Sequence, residues 1–352
     1  MNPVTQSDLP DPFRFADSTR VHTPADWERR RVELADLIVP LEYGGLPARP
    51  ASTRHELLHS ATVKGSGGVR IVSLRVVAEC ERPFGFLLQL LVPPGEGPFP
   101  VVLTGDACWR YVTDPVAADV VGRGLVLAQF NRVEIASDTG GLERSSGVYA
   151  AGPDGVYGAL SAWAWGYHRC VDVLGGMAEV DAARIGIVGH SRGGKATLLA
   201  GATDPRIALT CANGSGCGGA GCFRVQGAGS EQLGDILRLA PYWFGSGMAA
   251  YIGREADLPF DQHFLMALIA PRALLTTEAL GDLWANPTGT LHTHLAARAV
   301  YRFLGAEDRL GIWFREGEHE HCPGDWGAFL DFFEWTLCGR PTERRFDRNP
   351  FA

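Results

Sequence analysis

Apolar residues recur along this chain with two different periods. Val69 to Ala78 alternates apolar and polar positions, and Gly85 to Val92 is aliphatic. Pro100 to Thr104 and Leu125 to Phe130 are short apolar runs bounded by turn residues. Aliphatic runs of this length, separated by helical segments, predict a mainly parallel sheet covered on both faces. The helical period is clearest over Val156 to Leu174. There Leu160, Trp163, Ala164, Tyr167, Val171 and Leu174 fall three or four residues apart and share one face. Strands are then expected at Arg184–Val188, Ile207–Cys211, Ala273–Thr276 and Leu310–Phe314, and helices at Arg192–Thr203, Leu291–Leu304 and Trp326–Leu337.

The first 65 or so residues are Pro-rich and charged, with one predicted helix at Asp26–Leu37. Thr23-Pro24 opens it as a cap followed by a helix-starting proline. The expected organisation is an N-terminal extension over 1–65, one α/β domain over 66–340 and a tail over 341–352. Residues 218–261 are loop-rich, carry Tyr242-Trp243-Phe244 and are expected to overlie the sheet as a lid.

Composition narrows the function classes. Of 352 residues, 46% are hydrophobic and 20% charged, which excludes a disordered chain. The net charge of −8 argues against nucleic acid or an anionic membrane as main partner, since either requires a basic face. No apolar run approaches the ~18 residues of a membrane span. Residues 1–8 lack the basic and apolar regions of a signal peptide, so a cytoplasmic location is expected. The eight scattered cysteines then read as free, buried thiols. Oligomeric state leaves no readable trace.

The strongest chemical signal is Gly189-His190-Ser191-Arg192-Gly193, a G-x-S-x-G between the apolar strand Ile185-Gly186-Ile187-Val188 and a helix-competent run. A serine on so sharp a turn is held in a strained backbone, with glycines keeping Cβ atoms out of the bend. Its hydroxyl stands at the carboxyl end of the sheet, and the Arg192 amide at the helix N-terminus faces a forming oxyanion. A serine hydroxyl needs a base, oriented in turn by an acid, and on this scaffold the order along the chain is Ser, acid, His. After the run Leu274-Leu275-Thr276-Thr277, Glu278 and Asp282 offer two carboxylates, with Asp282 favoured in its Gly-Asp turn. After the last strand, His319 and His321 compete as base, with His319 closer to the strand-ending glycine. A zinc site on His319, His321 and Cys322 lacks a fourth ligand at suitable spacing, so neither metal nor organic cofactor is expected.

The run Gly189 to Lys195 resembles the nucleophile motif of the glucuronoyl esterases (carbohydrate esterase family 15) and their bacterial acetyl-xylan-esterase-like relatives. Similar stretches are Gly158 to Gly166, Asp204 to Leu209, Asp261-Gln262-His263, Ala270-Pro271-Arg272 and Asp282 to Pro287, so the likeness extends over roughly Val102 to Leu337. It implies an α/β-hydrolase fold and a Ser191–His319–Asp282 triad acting through an acyl-enzyme on a carbohydrate-linked ester, a glucuronate ester or an acetylated sugar. It further implies that Arg192 assists the oxyanion, and that Lys195, Gln262 and Trp284 bind substrate. Fungal members carry their acid in the loop that here reads Asn213-Gly214-Ser215-Gly216, whereas bacterial relatives can use the later loop of Asp282. They also carry a cysteine before the serine, bridged to one after the histidine. His190 stands at the first position here and Cys322 at the second, so that bridge cannot form. Other readings are a general esterase or an acyltransferase of secondary metabolism on the same scaffold, and a catalytically silent binding protein.

Overall fold

The structure, a computed structural model, describes residues 9–108, 112–139, 144–152 and 155–351. The stretch read above for a leader, residues 1–8, lies outside them. Among the described residues nine strands form one sheet: β1 (Thr53–Thr62), β2 (Arg70–Ala78), β3 (Phe84–Val92), β4 (Phe99–Thr104), β5 (Val126–Phe130), β6 (Val180–His190), β7 (Leu209–Asn213), β8 (Ala273–Ala279) and β9 (Leu310–Arg315). Their order is β1-β2-β3-β5-β4-β6-β7-β8-β9. Pairing is antiparallel from β1 to β5 and parallel from β5 to β9. The helices are α1 (Pro24–Tyr43), α2 (Asp114–Gly122), α3 (Arg132–Ile135), α4 (Gly147–Ala151), α5 (Ala159–Leu174), α6 (Arg192–Thr203), α7 (Leu233–Leu239), α8 (His263–Ile269), α9 (Pro287–Phe303) and α10 (Pro323–Cys338).

Two buried layers flank the sheet because its central strands are apolar on both faces. Ile187 and Leu274 point into the core shared with α1, α5, α6 and α8, while Val188 and Leu275 point into the one built with α10. The mainly parallel sheet with helices on both sides is thus the expected α/β-hydrolase arrangement. The sequence reading missed β1, whose side chains are almost all exposed and so carry no period. It pairs with β2 along its whole length, which ties residues expected as an extension into the sheet itself.

Helix α1 outruns its expected end, burying Trp27, Leu34, Ile38 and Tyr43 before stopping at Gly44 in the left-handed region. Its start matches the cap reading, with Thr23 and Asp26 bonding reciprocally. Helix α5 begins three residues later than expected because residues from the 218–261 segment pass over its first turn. The Ala159 and Leu160 amides donate to the Tyr242 and Trp243 carbonyls, and a Cβ on Gly158 would strike the Trp243 carbonyl oxygen. Gly245 likewise donates to the Glu42 carbonyl at the end of α1. The segment expected as a lid is therefore anchored to α1 and α5 as a wall.

Glu42 is fully buried at the end of α1, accepting from Gln262 Nε2 at 2.6 Å, and burial pushes its carboxyl up to about 8. An acid whose folded pKa lies above its unfolded value of 4.5 stabilises the fold fully below about 4.5, and loses that contribution as pH rises to about 8. Thermal stability is therefore expected to decline between pH 5 and 8. Glu42→Gln, neutral at every pH, should flatten that decline without abolishing it, because burial also raises Glu231 and Glu278. Melting curves at several pH values check this, and parallel curves for the two proteins would refute it.

Candidate active site

Strand β6 ends at His190, and Ser191 turns the chain into α6 with φ 56° and ψ −122°. A non-glycine residue held there costs on the order of 1–3 kcal/mol, so the surroundings must enforce the turn. A Cβ on Gly189 would lie 2.4 Å from Thr197 Oγ1, and one on Gly193 would lie 2.1 Å from Asp106 Oδ1. Only glycine fits at either place. Asp106, in the loop after β4, braces the turn by accepting from the His190 amide at 2.8 Å and from the buried Arg132 guanidinium.

The loops after β8 and β9 deliver the other two groups. Asp282 caps a short helical turn at Leu283–Ala285 and is only 4% exposed. His319 spans the gap: Nδ1 meets Asp282 Oδ2 at 2.5 Å, and Nε2 meets Ser191 Oγ at 2.9 Å. The carboxylate holds the proton on Nδ1, which leaves the Nε2 lone pair facing the serine hydroxyl. Both ring nitrogens of His319 are thus engaged within the Ser191–Asp282 pair. The ring itself remains 42% exposed in its side chain.

The two alternates stand elsewhere. Glu278 follows the pleat of β8 into the interior, where burial first and the nearby Asp282 charge second push its carboxyl well above the carboxylate range. A carboxyl kept neutral cannot stabilise an imidazolium. His321 instead stacks on Trp326, with ring centroids 4.8 Å apart.

The expected substrate residues divide. Lys195, one turn along α6, is buried with Nζ donating to the Ser215 carbonyl at 2.5 Å and the Cys217 carbonyl at 2.7 Å. Glu231 Oε2 lies 3.8 Å from Nζ, and this carboxylate was not singled out in sequence, since its Gly-rich loop has no readable register. Burial raises the Glu231 pKa against the lowering effect of Lys195. The Glu231 amide donates to the Trp284 carbonyl at 3.0 Å, and Trp284 is 47% exposed. Lys195, Glu231 and Trp284 thus form one wall beside His319. Gln262 does not belong to it. Its amide is fully buried against Glu42, because α8 packs on α1 and the side chain points between them. That expectation is corrected: Gln262 supports the fold.

Arg192 heads α6, so its amide lies at the positive end of the helix dipole. Its guanidinium donates to Asp138 Oδ2 at 2.8 Å and lies over the Trp243 ring at 4.8 Å. Asp138 also accepts from the Tyr242 hydroxyl and the Trp243 indole. The aromatic segment noted in the sequence therefore fixes a permanent cation beside the serine. Serine, base, acid and a cationic N-terminus are the parts needed for acyl transfer through a covalent intermediate.

A family model described as glucuronyl esterase, fungi, matches residues 76–305. The chain is 32% identical over 89% of its length to 4-O-methyl-glucuronoyl methylesterase 1 of Wolfiporia cocos, spanning 76% of that protein. It is 34% identical over 89% of its length to the 4-O-methyl-glucuronoyl methylesterase of Podospora anserina, spanning 64% of it. Among solved structures it resembles a carbohydrate esterase family 15 glucuronoyl esterase from Caldicellulosiruptor kristjansonii, with TM-score 0.85, 30% identity and coverage of 100% of this chain and 95% of that one. A glucuronoyl esterase variant from Sporotrichum thermophile, in complex with methyl 4-O-methyl-β-D-glucopyranuronate, aligns with TM-score 0.79 and 27% identity over 99% of this chain and 94% of that one. By fold, by the extent of the family match and by identity along most of its length, this chain belongs to the glucuronoyl esterase family and is a serine carboxylic-ester hydrolase.

Proposed function

We propose that the chain cleaves the ester between the carboxyl of a 4-O-methyl-glucuronoyl group and an alcohol, with Ser191 as nucleophile, His319 as general acid–base and Asp282 orienting the imidazole. The observation that carries this reading is the placing of the Lys195–Glu231–Trp284 wall beside a histidine that links Ser191 to Asp282. Ser191 Oγ attacks the ester carbonyl while its proton passes to His319 Nε2. The resulting oxyanion faces the Arg192 amide, with the Arg192 guanidinium supplying positive charge. Collapse expels the alcohol, which takes the proton from Nε2. Water, deprotonated by His319, then releases the glucuronate and regenerates Ser191. The wall supplies what a sugar ring requires: a donor, an acceptor and an aromatic face. The exposed His319 and Trp284 leave room on the alcohol side for a bulky group.

Comparison of methyl 4-O-methyl-glucuronate, acetylated xylose and p-nitrophenyl acetate tests the reading. The glucuronate ester is expected to show the highest kcat/KM; preference for the aryl acetate would favour a general esterase, and partitioning to an added alcohol an acyltransferase. Glu231→Gln, which keeps shape and removes charge, should lower kcat/KM on the glucuronate ester by about 10- to 100-fold and leave the aryl acetate within about threefold. Equal losses on both substrates would remove Glu231 from sugar binding.

A further inference from the structure

Beneath the catalytic histidine lies a stack of rings that the scheme above leaves unused. His190, the last residue of β6, faces His319 with centroids 4.6 Å apart and planes inclined by 38°. His321 lies 5.6 Å from His190 at 17°, and Trp326 of α10 lies 4.8 Å from His321 at 20°. The stack runs from the nucleophile strand through the His319 loop to the last helix. That loop is a surface turn with Glu318, His319 and Glu320 exposed. Arg315 holds its backbone by donating to the Glu318 and Glu320 carbonyls, but does not fix the rings.

The hydrogen bonds around His190 define its form. Asn213 at the end of β7 spends its amide N–H groups on the Thr277 hydroxyl at 2.8 Å and carbonyl at 3.3 Å. Its Oδ1 can therefore only accept, and it lies 2.5 Å from His190 Nδ1, so that nitrogen carries a proton. The bond locks the ring plane and presents an imidazole face to His319. During acylation and deacylation His319 becomes a cation, and a cation over an aromatic face is stabilised. A second cation at that distance would oppose it, so sharing that charge requires His190 as the neutral imidazole.

We propose that His190 and His321 are positioning residues for the ester hydrolysis: with Trp326 they form a ladder that holds the His319 ring over Ser191, and the face of His190 shares the charge of the imidazolium. The proposal rests on the Ser191–His319 reading above. It assigns work to His321 as a flat ring, not as a base. The ladder acts after substrate has bound, so it bears on kcat and leaves KM alone.

Steady-state kinetics on methyl 4-O-methyl-glucuronate test it, with melting temperatures as folding control. His190→Ala should lower kcat by about 10- to 100-fold with KM within about twofold. His321→Ala should lower kcat by about 3- to 10-fold, and His321→Phe, which restores a flat ring without a nitrogen, should return it to within about twofold of wild type. If His190→Ala fails to fold, the His321 pair decides. A His321→Phe enzyme as slow as His321→Ala, losses that appear in KM, or wild-type kcat in both alanine variants would overturn the ladder. Ser191→Ala, assayed alongside, separates the levels: if it is inactive while the ladder variants are wild-type, only the ladder fails, and if it stays active the underlying reading fails with it.

Discussion

Ser191→Ala lowers hydrolysis of a glucuronate ester by about a thousandfold or more while the protein stays folded. The hydroxyl stands 2.9 Å from His319 Nε2, placed to form the acyl-enzyme, and alanine leaves the base no hydroxyl to activate. The remaining rate should reflect water attacking under the Arg192 oxyanion site, since removing one triad member leaves that site standing. Stability should hold or rise, because the turn is enforced by Gly189, Gly193 and the Asp106–Arg132 pair. Purified variant and wild type assayed on one substrate check this. More than about a tenth of the wild-type turnover in the variant would remove Ser191 as nucleophile.

Asp282→Asn is expected to cost about 10³- to 10⁴-fold in kcat, whereas Glu278→Gln should stay within about threefold of wild type. An asparagine amide can turn its NH₂ towards Nδ1, which moves the ring proton to Nε2 and blocks the base. It also removes the negative charge that steadies the imidazolium. Glu278 is a different case. Its carboxyl is held neutral by burial, and glutamine closely copies a protonated glutamate, so the substitution changes little that His319 can sense. Parallel kinetics of the two variants settle the acid, and comparable losses would place it on neither. A Cβ on Gly214 would lie 3.5 Å from Asp282 Oδ2 and 3.6 Å from His319 Nδ1. The loop Asn213-Gly214-Ser215-Gly216 after β7 therefore converges on the same corner, which the acid reaches from β8.

How far the sequence reached depends on whether each feature is set locally. The nucleophile turn was legible because its cause is local: two glycines a Cβ would disable, an apolar strand before them and a helix after. The order of Ser191, Asp282 and His319 was legible because each follows a strand recognisable by its aliphatic run. Elements without a one-sided apolar pattern escaped, as β1 did with nearly all its side chains in solvent. Choices between neighbours were decided only by tertiary packing. Glu278 and Asp282 lie four residues apart, yet the pleat of β8 buries one and the following turn aims the other at His319. Gln262 lay in a family-like motif, but no local pattern says that α8 turns it towards Glu42. Glu231 joins Lys195 across 36 positions of chain, and the ring ladder joins His190, His321 and Trp326 across more than a hundred. Such contacts are fixed by how the sheet brings distant loops to its carboxyl edge, and no spacing along the chain encodes that distance.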